Sequence, residues 1–244
     1  MTLLLLDIGN SRLKWAAAEF GVLQAAGAFD HGGDPVAAAA EISVPSAKAI
    51  WISNVTGPAL GERLGAALQA RFGVAPKFAT VSPDYRGLRI AYDHPQRLGV
   101  DRWVALYAAW KQSGGAACVV SAGTALTFDA VDEEGQHRGG VIAPGLLTMQ
   151  QAVLGATRFD STGPAADYTD GLGKNTEACV RQGALHAAAG LIERLGSRYR
   201  GGGRCFLTGG DADTLLPHLP VGWTLAPNLV QQGLLSMALE EDSD

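Results

Sequence analysis

Four short stretches hold the side chains that could do chemistry. The first, Asp7-Ile8-Gly9-Asn10-Ser11, leaves the apolar run 3–6. A carboxylate ending a buried strand is costly unless it meets a cation or a hydrogen-bond donor. Gly9 permits close backbone approach to a ligand. Asn10 and Ser11 add donors, and Lys14 adds a charge. This set suits a Mg²⁺–phosphate site. A hairpin in which Asp7 merely caps the turn would use the same residues. The second stretch, Ser121-Ala122-Gly123-Thr124, offers backbone and hydroxyl donors to another phosphate, or is again a hairpin. The third, Leu98-Gly99-Val100-Asp101-Arg102-Trp103, sets an acid–base pair after a glycine at the start of an amphipathic helix. Asp101 there is either a structural cap or a catalytic carboxylate whose neighbour Arg102 binds an anionic group. Tyr92, a few residues upstream, could line the same pocket. The fourth, Leu207-Thr208-Gly209-Gly210-Asp211-Ala212, fits a nucleotide site or an ordinary strand–helix connection.

The elements that must position these residues occur twice. LLLLDIGNSRLKW at 3–15 and ACVVSAGTALTFD at 117–129 are alike. Aligning Gly9 with Gly123 pairs Asp7 with Ser121, Asn10 with Thr124 and Ser11 with Ala125. EFGVLQAAGAF at 19–29 then matches DEEGQHRGGVI at 132–142. Each copy reads as three strands joined by two tight turns. Two related halves follow, 1–114 and 115–244, with Ser113-Gly114-Gly115 at the junction. Turns facing each other across a cleft could hold a polyphosphate.

Strands are predicted at 2–7, 12–18, 22–29, 49–55 and 77–82. Helices are predicted at 35–42, from Pro58 to Phe72, where proline favours the first turn, and at 100–111, where apolar residues recur at helical spacing. Residues 83–97 read as irregular. In the second half the three strands of 117–143 precede a helix near 144–154, with Gly139-Gly140 and Pro144-Gly145 as turn elements. A polar loop over 158–174, a helix at 176–196, strands at 204–210 and 223–227, and a helix at 229–240 complete the chain. The pattern is α/β with a mixed sheet in each half.

A chain of 244 residues can bury a substantial core. Its net charge of −5 argues against a general nucleic-acid binder, which needs a basic face. Cys118, Cys179 and Cys205 are odd in number and lack metal-ligand spacing, which points to a reducing compartment. The apolar run 3–6 is too short to span a membrane and has no basic flank, so the sequence reads as cytoplasmic with no membrane partner.

D-I-G-N-S-R-L-K-W at 7–15, L-G-V-D-R at 98–102, A-G-T-A-L-T-F-D at 122–129, G-G-V-I-A-P-G at 139–145, N-T-E-A-C-V-R-Q-G at 175–183 and L-T-G-G-D-A at 207–212 together resemble type III pantothenate kinase. The motifs keep the family's order and cover nearly the whole chain. The resemblance implies the duplicated ribonuclease-H-like fold of the actin and sugar-kinase ATPase superfamily. It implies ATP-dependent phosphorylation of pantothenate, the first committed step toward coenzyme A, by a homodimer requiring Mg²⁺ and potassium or ammonium. By motif, Asp7, Ile8, Gly9, Asn10, Ser11, Arg12, Leu13 and Lys14 resemble the first phosphate loop, with Asp7 near Mg²⁺ through water. Thr124 resembles the phosphate contact of the second loop. Tyr92, Gly99, Val100, Asp101 and Arg102 match pantothenate-binding positions, Asp101 the general base and Thr176 a further substrate contact. Many members carry an Asp, a monovalent-cation ligand, where this chain has Ser121. A neutral hydroxyl is a weaker ligand, so the resemblance leads us to expect weak potassium binding. A non-catalytic nucleotide-binding regulator, acting as an accessory factor in transcription, would use the same fold, as would a sugar kinase. Intact Asp7, Asp101, Arg102 and Thr124 favour an enzyme, and Gly99-Val100-Asp101-Arg102 argues against a sugar.

Overall fold

The structure is a computed structural model that describes residues 2–156 and 167–241. The expected polar loop lies outside the described residues as far as residue 166. The chain forms two compact units, Met1–Ala108 with Asn228–Asp244, and Ala109–Pro227.

The first unit is built on strands β1 (Leu3–Ile8), β2 (Arg12–Glu19), β3 (Val22–Asp30), β4 (Ala49–Asn54) and β5 (Lys77–Phe78), in the order β3-β2-β1-β4-β5. β1 runs antiparallel to β2 and parallel to β4. A central strand covered on both faces is expected to be continuously apolar, and Leu4, Leu5, Leu6 and Ile8 are all buried. Leu4, Leu6 and Ile8 join one core with Ala38 and Ala39 of α1 (Pro35–Ala40) and Leu64 and Leu68 of α2 (Pro58–Phe72). Asp34 caps α1 by accepting from the N–H groups of Val36 and Ala37. The opposite face meets α7 (Leu229–Glu241), which packs on β1, β2 and β4. Gly233 of α7 lies against α3 (Val100–Ser113), where an added Cβ would overlap the Val104 carbonyl oxygen.

The second unit repeats the plan. Strands β8 (Ala117–Ala122), β9 (Ala125–Val131), β10 (His137–Pro144), β11 (Arg204–Thr208) and β12 (Trp223–Leu225) take the order β10-β9-β8-β11-β12. Helices α4 (Leu146–Ala156), α5 (Thr176–Tyr199) and α6 (Ala212–Leu215) accompany them. Val120 and Leu207 pack with Leu185 and Ile192 of α5. Cys118 and Cys205, remote in sequence, are cross-strand neighbours with free thiols.

Strand register carries the duplication to single residues. Asp7 is opposite Lys14 on β2 and Ser53 on β4. Ser121 is opposite Thr127 on β9 and Thr208 on β11. The turns differ in length, however. Ile8 pairs with Leu13, whereas Ala122 pairs with Leu126. The Gly9 N–H bonds to the Arg12 carbonyl, but the Gly123 N–H reaches only to Ala125. The first turn therefore has one extra residue. The Asp7–Ser121 and Gly9–Gly123 pairings hold, while Ser11–Ala125 slips, since Arg12 takes the place of Ala125.

Four other expectations need correction. The halves do not divide at residue 114: the boundary falls inside α3 after Ala108, and α7 belongs to the first unit because its apolar face packs there. The strand expected at 77–82 keeps ladder pairing only at β5. Residues 84–89 form a small hairpin, β6 (Asp84–Tyr85) and β7 (Leu88–Arg89), turning through Arg86 and Gly87 at φ 50° and 97°. Positive φ at both central residues is a preferred hairpin turn, but strands this short carry no alternating pattern. Gly139 lies in β10 at a register shift, with φ 92°, instead of in a connecting turn.

Gly233→Ala should destabilise the protein by about 1–3 kcal/mol, as overpacking against fixed backbone does. Gly190→Ala, in the middle of α5 with open space around it, should stabilise by about 0.5–1 kcal/mol. Denaturant titration checks the pair. Equal responses would mean that the α7–α3 approach is looser than described.

Candidate active site

Asp7 ends the described run of buried β1 residues but one, and is only 4% exposed. Ser53 donates its hydroxyl to Asp7 Oδ1 at 3.1 Å, and Lys14 Nζ lies 3.7 Å from Oδ2. Burial pushes the Asp7 carboxyl from 3.8 to about 6. Lys14 opposes the rise and the Asp101 carboxylate adds to it. The first unit thus brings the Asp101 carboxylate close enough to Asp7 to act on it, although the two are far apart in sequence.

The other members of the first loop divide by environment. Ile8 and Leu13 are core residues, so only their backbone is available to a ligand. Arg12 pairs with Asp30 at 3.2 Å. Asn10 and Ser11 are exposed. Lys14 is already engaged by Asp7, where the sequence suggested a charge held for a ligand.

The 92–103 segment is organised around the start of α3. The Gly99 carbonyl accepts the Trp103 N–H at 3.1 Å, and Asp101 Oδ1 accepts the Arg102 N–H at 2.8 Å. A Cβ on residue 99 would lie 2.7 Å from Asp101 Oδ1, so the carboxylate position depends on glycine there. Arg102 Nη1 donates to the Tyr92 hydroxyl at 3.1 Å, and the guanidinium stands 6.0 Å from that ring centre. The side chain of Trp103 and the Tyr107 ring each pack edge-on against Tyr85 of the hairpin. Tyr107 donates to Glu240 of α7 at 2.7 Å. The helix bearing Asp101 and Arg102 is therefore clamped to α7.

Ser121, Thr124 and Thr176 belong to the second unit. Directly opposed residues share a sheet face, so Ser121, Thr127 and Thr208 present three neutral hydroxyls together. The Thr124 carbonyl accepts both the Gly145 N–H at 2.9 Å and the Thr148 hydroxyl at 2.7 Å. A Cβ on Gly145 would collide with the Gly123 carbonyl, which explains that glycine. Gly209 approaches Ala122 as closely. Thr176 opens α5 behind the cap Asn175, whose side chain accepts the Ala178 N–H at 2.8 Å.

Three supporting residues escaped the sequence reading. Ser53 was detectable as a polar residue near the end of an apolar strand, as Asp7 and Thr208 are. His31, 8% exposed, reaches back to the first loop, with Nε2 2.9 Å from the Gly9 carbonyl. Gln182 bonds to the Asp167 carbonyl at 2.8 Å and accepts the Thr169 N–H at 2.9 Å, holding the approach to α5. Gln182 stood inside the 175–183 stretch with no role assigned to it, and His31 had no sequence signal, because each acts on a backbone away from it in sequence.

The type III pantothenate kinase family matches residues 3–198. The chain belongs to this family. A type III pantothenate kinase of Nitrosococcus oceani is 35% identical over 97% of this chain and 93% of its own length. One of Nitrosospira multiformis is 37% identical over 98% and 91%. Among solved structures, a Campylobacter jejuni protein described as a Baf family transcriptional activator superposes with TM-score 0.64 at 21% identity, covering 99% of this chain and 100% of that one. A ROK family glucokinase from Streptomyces griseus gives 0.52 at 11%, over 98% and 100%. At such identities these two establish the fold alone. The chain shares the α/β fold of these two structures, with a mixed sheet in each unit as its sequence led us to expect.

The Asp7 shift has a measurable sign. The folded protein binds the Asp7 proton more tightly than the unfolded chain does. Stability from this group is thus full below about pH 4, falls as pH rises through about 6, and stays lost above it. In the absence of nucleotide and metal, Asp7→Asn should be more stable than wild type at pH 7.5 by roughly 1–3 kcal/mol. The difference should vanish toward pH 4. Urea titrations at both pH values check this, and a wild type at least as stable at pH 7.5 would refute it.

Proposed function

We infer that this protein transfers the γ-phosphoryl group of ATP to pantothenate, giving 4′-phosphopantothenate at the start of coenzyme A synthesis. Family membership supports the activity. The observation that carries the site assignment is the convergence of Asp7 and Asp101 in one unit, with Arg102 and Tyr92 on the same segment as Asp101.

We propose that the backbone and side chains of 7–14 bind the ATP phosphates and, from the family resemblance, that Thr124 is a phosphate contact. Asp7 fits a Mg²⁺ partner, because its buried carboxylate is only partly compensated by Lys14. Asp7 would hold the ion, which would supply positive charge against the triphosphate when bound. Arg102 pairs with the pantothenate carboxylate, Tyr92 and the 99–100 backbone line that pocket, and Thr176 adds a hydroxyl. As the primary hydroxyl of pantothenate bonds to the γ-phosphorus, the bond to the β,γ-bridging oxygen breaks and ADP leaves. Asp101 accepts the hydroxyl proton. Positioning and charge stabilisation supply most of the rate in such transfers. We further propose that the enzyme is a cytoplasmic homodimer.

A coupled ADP-release assay with and without pantothenate, and with glucose as alternative acceptor, tests the reading. Pantothenate-dependent release supports it. No release with any acceptor would favour a regulator, and release with glucose a sugar kinase. Asp101→Asn should lower kcat by about 10²-fold or more with Mg·ATP affinity intact, as read by calorimetry and steady-state kinetics. Near-normal turnover in the folded variant would remove Asp101 from the role of base.

The three hydroxyls around Ser121 lack the charge of a carboxylate, and even a screened unit charge at contact is worth roughly 1–4 kcal/mol. Potassium or ammonium should therefore activate only modestly, or only at high concentration, and Ser121→Asp should sharpen the dependence. The check is turnover against potassium at fixed ionic strength. Steep activation at low millimolar potassium in the unmodified protein would end this idea.

A further inference from the structure

We infer that His31 is a positioning residue for the first phosphate loop: it ties down the loop carbonyls so that the loop presents donors to ATP. The inference rests on the reading that residues 7–14 bind the phosphates.

Four hydrogen bonds carry it. The Gly33 N–H donates to His31 Nδ1 at 3.0 Å. Nδ1 is thus an acceptor, which assigns the ring proton to Nε2. Nε2–H then donates to the Gly9 carbonyl at 2.9 Å. The His31 backbone N–H donates to the Ser11 carbonyl at 3.1 Å. Finally, the Gly9 N–H occupies the Arg12 carbonyl at 3.0 Å. The carbonyls of residues 9, 11 and 12 are all engaged. A carbonyl turned toward a phosphate repels it, whereas an engaged one cannot rotate outward without losing a bond. Gly32 and Gly33, at φ 53° and 93°, make the turn that returns the Gly33 N–H to the ring. Few residues other than glycine adopt that conformation cheaply.

The duplication supplies an internal control. In the second turn the Thr124 carbonyl is held by the Gly145 N–H and the Thr148 hydroxyl. The first turn is one residue longer and has a histidine from beyond β3 in the same capacity. Two copies restrain the same kind of group with unrelated residues.

The test uses the full-length enzyme and the variants His31→Phe, which removes both ring bonds, His31→Gln, whose amide can still donate to Gly9, and Asp7→Ala as a reference. His31→Phe should raise KM for Mg·ATP by about five- to tenfold, the loss of one or two neutral hydrogen bonds. KM for pantothenate should stay nearly constant, and His31→Gln should recover most of the loss. An unchanged Mg·ATP KM in His31→Phe, with a raised one in Asp7→Ala, would overturn the role of His31. Equal rises for both substrates, unrelieved by Gln, would also overturn it. No effect of Asp7→Ala on Mg·ATP would instead overturn the loop assignment itself. If His31→Phe does not fold, nitrogen NMR of wild type decides. An Nε2–H tautomer whose signals move on adding a non-hydrolysable ATP analogue supports the role; an Nδ1–H tautomer, or no response, refutes it.

Discussion

Asp7 is an acid set among leucines, and its burial favours the protonated form. Lys14 and Ser53 oppose the shift without abolishing it, and Asp101 works the other way, so the carboxyl comes to rest at about 6. An incompletely compensated buried charge lowers the stability of the empty protein and raises its affinity for a cation. Much of the first unit can be understood as holding that arrangement in place. β1 must be central to bury Asp7, β2 must be in register to bring Lys14, and β4 must be parallel to bring Ser53.

The second carboxylate is fixed by different means. Asp101 stands at the start of α3, held over a glycine and bonded to the next backbone N–H. α3 is anchored along the part that lies in the first unit, by the Tyr107–Glu240 hydrogen bond and the close pass of Gly233 against Val104. That anchoring adds to the packing of the last helix on β1, β2 and β4 within the first unit. The helix that positions a catalytic candidate is itself positioned by residues more than 130 places away in sequence.

Duplication constrained what each half could become. Both sheets keep one strand order and the same trio of opposed positions at the end of the central strand. In the first half the trio is Asp, Lys and Ser; in the second it is Ser, Thr and Thr. One scaffold therefore carries a charged trio in one unit and a neutral trio in the other. The extra residue in the first turn shows that strand pairing, not turn length, is what the two copies share.

The sequence by itself determined the strand–helix order, the repeat, and the chemical types at Asp7, Asp101, Arg102 and Thr124. Apolar periodicity and turn residues are local signals, and all of the long elements followed them. It could not determine which helix covers which sheet, since α7 has an apolar face that would serve either unit. Nor could it reveal β6 and β7, too short to show a period, or the loss of pairing after Phe78. His31, Ser53, Gln182 and the Cys118–Cys205 contact were likewise decided by the tertiary structure. Each depends on a register or a chain reversal that brings distant residues within bonding distance. Hydrogen bonds act over about 3 Å, and only the folded chain specifies separations that small.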